Sequence, residues 1–272
     1  MSGAAVAESG EPLALWMREA EPRGGGLRAQ RFEYSSRGDR VPGLLLLPRD
    51  VRPPFPLVLL QHGAGGSKES AYLDAARLPW VRGGAAVASV DFPLHGERAN
   101  AKLGERFFAA LADRRAGKLD ARGAALWSDF ARQAMHDLAR ALDALGTLPE
   151  IDASRIAYAA FSLGAIVGGL FCPTDPRLCA AALALGGAGF GPPALDPAHA
   201  LRGFAGRPLL FVNATRDETI SRASAEALHA AAPHPKEIAW FESGHTDLPG
   251  SALKAMWIFL ARELRIGSAE GA

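Results

Sequence analysis

Residues 156–174 carry no charged side chain, and this run limits the fold more than any other in the chain. Its length approaches that of a membrane span. Its texture, however, changes at Ser162. An apolar stretch of strand character, ending at Phe161, leads in, and a small-residue helical stretch starting at Leu163 leads out. Gly164, Gly168, Gly169 and Pro173 interrupt the run, so one continuous span is a poor account of it. A buried strand followed by a buried helix explains it, with Ser162 on the bend. Ala160-Phe-Ser-Leu-Gly164 is a variant of the G-x-S-x-G pattern, with Ala at the first Gly place. Such a turn holds a serine hydroxyl exposed at the rim of a sheet. Strand and helix backbones nearly touch there, so the residues two before and two after the serine must be small. Ala160 still fits. A second uncharged run, 178–195, is broken by Gly186, Gly187, Gly189, Gly191, Pro192 and Pro193.

Strand signals recur at 56–61, 85–91, 155–161, 180–185, 208–213 and 237–241, with helical signals over 68–80, 128–145, 221–231 and 250–264. Ser128-Asp129 is the expected cap of the second helix and Gly146 its stop. Buried strands alternating with helices predict an α/β fold, a mostly parallel sheet with helices on both faces. Apolar residues flank Ser36-Arg-Gly-Asp39, which predicts a hairpin turn. The same tripeptide, Arg37-Gly38-Asp39, is an integrin-binding motif; the turn is the stronger explanation. Residues 1–26 are expected to be a mobile N-terminal arm, 27–266 one domain, and 267–272 a flexible tail. The connection 92–127 is too long for a plain loop. Leu103, Phe107, Phe108 and Leu111 make it amphipathic. It is expected to form either a small insertion over the site or an ordinary helix on the sheet edge.

With 30 Lys and Arg against 29 Asp and Glu, the chain has no basic excess to suggest a nucleic-acid partner. Its two cysteines, Cys172 and Cys179, exclude a disulfide framework and suggest a reducing compartment. The N-terminal residues lack a signal-peptide pattern. A cytoplasmic location with no membrane span is expected.

A serine hydroxyl is a weak nucleophile at neutral pH. It needs a base, and the base needs an orienting carboxylate. Elbow enzymes present these in the order serine, acid, histidine. Asp217 ends a strand run and falls where ligands gather at the carboxyl edge of a sheet. Glu218 is its neighbouring rival, and Asp196 a weaker one. His245 follows the last strand, with Gly244 easing the turn. His199 is out of order, and His229 and His234 are expected at the surface. An oxyanion hole needs two N–H donors. Leu163 is one candidate, and Ala64 in the loop Gln61-His-Gly-Ala-Gly-Gly-Ser67 is the other, with Gly65 as alternative. That loop fails the Walker pattern, because no Ser or Thr follows Lys68, and Gly187-Ala-Gly-Phe-Gly191 lacks dinucleotide spacing. No metal-ligand motif occurs, and no cofactor is expected. His62 and His95 are expected to hold loops by hydrogen bonds.

The His62-Gly63 loop, Asp91-Phe-Pro-Leu-His-Gly-Glu-Arg98, residues 151–156, the elbow, Asp217 and Gly244-His245 together resemble the α/β-hydrolase superfamily. The resemblance spans roughly residues 30–265. Asp91–Arg98 and the elbow look like the dienelactone hydrolase and prolyl-oligopeptidase-like esterase branch. That branch implies an eight-stranded, mostly parallel sheet and hydrolysis of esters or related acyl bonds. Dienelactone hydrolases proper use Cys where this chain has Ser162, so their substrate does not carry over. Nor is there room for the propeller of prolyl oligopeptidases.

The expectation is a cofactor-free serine esterase acting on a small-molecule ester, with Ser162, Asp217 and His245 as the triad. Leu94, Phe107, Phe108, Trp127, Phe190 and Leu248 are candidate pocket walls; each is also a candidate core residue. A thioesterase or acyltransferase of the same chemistry is the alternative. A non-catalytic binding protein of the same fold is the alternative of another class. A histidine base predicts activity that falls on the acid side of neutrality.

Overall fold

The computed structural model describes residues 10–23, 27–115 and 117–267. Its strands are β1 (Trp16–Arg23), β2 (Leu27–Ser36), β3 (Asp39–Leu47), β4 (Phe55–Gln61), β5 (Ala86–Val90), β6 (Ile151–Phe161), β7 (Leu178–Ala184), β8 (Leu209–Ala214) and β9 (Lys236–Phe241). Its helices are α1 (Ala71–Arg82), α2 (Ala101–Arg115), α3 (Ala121–Gly146), α4 (Leu163–Phe171), α5 (Pro197–Ala200), α6 (Arg222–Ala231) and α7 (Gly250–Leu264).

All nine strands form one sheet in the order β1-β2-β3-β5-β4-β6-β7-β8-β9. β1, β2, β3 and β5 pair antiparallel, and β5 through β9 pair parallel. The central strands are buried on both faces, as their unbroken apolar runs require. Ile156, Tyr158 and Ala160 of β6 face the core under α3 and α4, while Ala157, Ala159 and Phe161 face that under α1 and α7. No helix among the described residues is long and apolar enough to cross a membrane.

The sheet has nine strands rather than the expected eight, and the extra one lies in the stretch expected to be a mobile arm. β1 pairs with β2 from Trp16↔Glu33 to Arg23↔Leu27. It occupies the sheet edge, where one partner supplies its ladder and exposed Arg18, Glu19 and Glu21 keep their contact with water. Such a strand has no apolar run to betray it. Residues 1–9 and 24–26 of the expected arm lie outside the described residues, as do residues 268–272 of the expected tail.

Two further expectations are corrected. α3 starts at Ala121, capped by Asp120, whose carboxylate accepts the Gly123 N–H at 2.7 Å. Ser128 lies inside the helix instead, its hydroxyl donating to the Ala124 carbonyl at 2.8 Å. His229 is buried, not at the surface; its Nε2 lies 3.3 Å from Asn213 Oδ1 and its ring packs on Phe211 and Trp240. The amphipathic connection forms α2. It packs on α3 through buried Phe107 and Leu111, leaving Leu103 and Phe108 exposed. Arg37 and Gly38, at φ 50° and 81°, make the tight turn between β2 and β3.

Candidate active site

β6 delivers Ser162 to the carboxyl edge of the sheet, and α4 leaves from it. The bend places Ser162 at φ 52°, ψ −115°, a backbone conformation that non-glycine residues rarely adopt. Its N–H donates to the Ala184 carbonyl at 2.8 Å, and its carbonyl accepts the first α4 bonds from Ala165 and Ile166. The demand for small residues falls unevenly on the two sides of the serine. A methyl on Gly164 would stand 2.7 Å from the His62 carbonyl oxygen and 3.1 Å from that of Gln61. Ala160, by contrast, buries its methyl completely. Glycine is needed after the serine, and alanine suffices before it.

Ser162 Oγ lies 2.8 Å from His245 Nε2. His245 Nδ1 lies 2.7 Å from Asp217 Oδ2. Asp217 Oδ1 accepts the N–H groups of Thr219 and Ile220, each at 2.8 Å. Burial raises the Asp217 carboxyl, but the His245 hydrogen bond and these two N–H donors outweigh it and hold the group below its ordinary range. The carboxylate is therefore charged at neutral pH and fixes the histidine with Nδ1 as the donor. Each residue stands where a strand ends: Ser162 after β6, Asp217 after β8, His245 after β9. Glu218 is exposed and takes no part. Asp196 caps α5 instead, accepting the Ala198 N–H at 2.8 Å. His199 and His234 are exposed.

The loop between β4 and α1 faces the serine. A Cβ on Gly63 would come within 3.2 Å of Ser162 Cβ, so glycine lets the loop approach this closely. The Gly63 N–H is taken by the Tyr72 hydroxyl at 2.7 Å. Among the described residues no protein acceptor engages the N–H of Ala64 or of Leu163. Leu163 opens α4, so its N–H also carries the positive end of the helix dipole. His62 and His95 hold their loops as expected: His62 Nδ1 donates to the Gly63 carbonyl and His95 Nδ1 to that of Pro93, each at 2.8 Å.

A cleft of about 260 Å³ opens at Ser162 and His245. Gly63, Ala64, Tyr72, Phe161, Leu185, Thr246, Leu248 and Leu253 complete its lining. Of the expected walls, only Leu248 belongs to it. Leu94, Phe107, Phe108, Trp127 and Phe190 do not line it. Leu94, Phe107, Trp127 and Phe190 belong to the core on the α3 side of the sheet, where Phe107 packs against Trp127 and Trp127 against Phe190, and Phe108 is exposed beside His95. Nearness in the chain to site loops misled here, because those loops leave the sheet toward both faces. Tyr72 and Leu253 went unnoticed because each lies in the first turns of a helix whose pattern reads as packing alone. No group of three or more His, Cys, Asp or Glu among the described residues is placed to hold a metal ion.

No protein-family model matches the sequence. No curated protein matches it either. Solved structures do match over nearly the whole chain. A cold-adapted esterase from an Arctic intertidal metagenomic library is 21% identical, with a TM-score of 0.73, covering 90% of this chain and 97% of that one. An acetyl xylan esterase from Paenibacillus sp. R4 is 18% identical, also at 0.73, covering 93% and 90%. Acetyl xylan esterase 1 from Thermoanaerobacterium sp. is 14% identical at 0.69, covering 92% and 88%. With its mixed, mostly parallel sheet, the serine on its strand-to-helix bend and these neighbours, the chain has the α/β-hydrolase fold.

Proposed function

We propose that the protein is a serine hydrolase that cleaves carboxylic esters of small molecules through an acyl-enzyme. The observation that carries this is the unbroken line from Ser162 Oγ through His245 to Asp217, at 2.8 and 2.7 Å, opening into an apolar cleft. His245 Nε2 removes the hydroxyl proton as Ser162 Oγ bonds to the ester carbonyl carbon. The carbonyl oxygen becomes an oxyanion, held by the N–H groups of Ala64 and Leu163. As the C–O bond to the alcohol breaks, His245 returns the proton to the leaving oxygen. Water then gives up a proton to His245, attacks the acyl carbon and frees Ser162 by the same route. Asp217 keeps the imidazole oriented and stabilises its charged form. The two unpaired thiols support a cytoplasmic location.

The cleft is small and lined by Tyr72, Leu248 and Leu253, which favours short acyl groups. Hydrolysis of p-nitrophenyl esters from acetate to palmitate, with wild type beside Ser162→Ala, tests the proposal. The expected result is activity concentrated on short chains and a loss on the order of 10⁴-fold or more in the variant. A wild type inert on every ester but active on acyl thioesters would move the assignment to a thioesterase. Ester cleavage that survives Ser162→Ala would overturn it.

A further inference from the structure

Asp91-Phe-Pro-Leu-His-Gly-Glu-Arg98 contributes nothing to the lining of the cleft at Ser162, yet it grips both ends of the loop that does. At the near end the Phe92 N–H donates to His62 Nε2 at 3.2 Å, beside Gly63. At the far end stands Asp91, which is fully buried. Its Oδ1 accepts the Lys68 N–H at 2.7 Å, and its Oδ2 accepts the Lys68 ammonium and the Glu97 N–H, each at 2.9 Å. The Lys68 side chain is 2% exposed, and its ammonium also meets Glu97 Oε1 at 2.5 Å. The Lys68 carbonyl accepts from the Arg77 guanidinium at 2.7 Å. Gly96, at φ 55°, lets the turn wrap the carboxylate; a methyl there would lie 2.2 Å from Asp91 Cγ.

A buried ion pair adds little net stability over a well-packed apolar pair, because desolvation offsets the attraction. Its effect is directional, since charge-assisted hydrogen bonds admit one geometry. The stretch between the two anchors includes Gly63, Gly65 and Gly66, which impose little conformation of their own. An N–H donor is useful to an oxyanion only if it is already aimed.

We infer that Lys68 and Asp91 are positioning residues of the esterase site: by clamping the far end of the loop, they hold the Ala64 N–H ready for the oxyanion that forms beside Ser162. The inference rests on the serine hydrolase proposed above and concerns only the loop that faces the serine. It also gives Asp91–Arg98 a task that its distance from the cleft would otherwise hide.

The test uses Asp91→Asn and Lys68→Met. Glu97→Gln is a milder variant that takes from the Lys68 ammonium its second carboxylate partner and so loosens the clamp while leaving Asp91 in place. Each is compared with wild type and Ser162→Ala for kcat and KM on p-nitrophenyl acetate, for Tm, and for inhibition by a trifluoromethyl ketone. Ser162 Oγ adds to the ketone carbon, its proton passes to His245, and the adduct carries an oxyanion where the ester intermediate would. Asp91→Asn and Lys68→Met are expected to lower kcat on the order of 10- to 100-fold, below the roughly 10²- to 10³-fold effect of losing an oxyanion donor outright, because the N–H is misaimed and not removed. KM should stay within about threefold, and ketone affinity should fall by the same factor as kcat/KM. Glu97→Gln should fall between these variants and wild type. Variants that lose only Tm, with kcat and ketone affinity unchanged, would overturn the inference. If the two stronger variants do not fold, Glu97→Gln decides: proportionate losses of kcat/KM and ketone affinity support the inference, and no loss overturns it. An inert Ser162→Ala beside a fully active Asp91→Asn removes the inference alone. An active Ser162→Ala, or a wild type inert to ester and ketone alike, removes the hydrolase proposal and the inference with it.

Discussion

The Tyr72 hydroxyl accepts the Gly63 N–H at 2.7 Å, joining the first turn of α1 to the loop that faces Ser162. Its ring also stands edge-on to Phe161, with centroids 5.4 Å apart. Tyr72→Phe would keep that ring contact and leave the Gly63 N–H without its acceptor. A lost hydrogen bond of this kind costs about 1–2 kcal/mol. If that cost falls on the loop geometry, kcat/KM on p-nitrophenyl acetate should drop roughly tenfold. Unchanged kinetics would mean that the loop holds its shape without the phenol.

Asp217→Asn should keep the fold and lower kcat on the order of 10⁴-fold, because an amide cannot hold the histidine tautomer that a carboxylate does. Glu218→Gln, one residue on and exposed, should stay within about twofold of wild type. Parallel losses in the two variants would show that the acid has been misassigned.

Gly164→Ala tests the close approach behind the elbow. The added methyl meets the backbone oxygens of Gln61 and His62, which cannot turn aside as a flexible side chain would. A penalty of about 2 kcal/mol or more is expected, lowering Tm by roughly 4–8 °C. Ala160→Gly removes only a buried methyl and should cost about 1 kcal/mol. Calorimetry that ranked the two in the opposite order would contradict this account of the elbow.

Stability should depend on pH through His62. Burial pushes its imidazole down from the ordinary 6.5 to about 4. Between those values the unfolded chain takes up a proton that the folded chain refuses. Stability is therefore complete above pH 6.5 and falls as pH drops toward 4, by about 3 kcal/mol for this one group. Burial also pushes His229 down to about 4, which acts in the same sense. Urea unfolding at pH 7, 5.5 and 4.5 should show the decline, and His62→Gln should flatten it. An equal slope in the variant would assign the decline to other groups.

Ser162, Asp217 and His245, which the structure brings together, were legible because each follows a strand run and local punctuation marks the place: Gly164 after Ser162, Gly244 before His245, and the end of β8 shortly before Asp217. What holds those residues was far less legible. Lys68 and Asp91 are far apart in the chain, and nothing local says that the lysine is buried or that the aspartate is its partner. β1 was hidden for a related reason, since Trp16–Arg23 is rich in charge and becomes a strand only because β2 offers it an edge. The walls of the cleft depended on which face of the sheet each loop leaves by, a property of the twisted sheet and not of any single segment.

The cleft walls and the proposed reacting groups come from different parts of the fold. Ser162, Asp217 and His245 follow the ends of β6, β8 and β9 in the parallel half of the sheet, whereas Tyr72 and Leu253 belong to α1 and α7, laid on one face of it. Substitutions in those helices can resize the chamber while the strand ends stay in register. On the proposed hydrolase reading, a scaffold divided in this way can be retuned from one acyl group to another by a few changes at its periphery, without rebuilding the proposed proton relay.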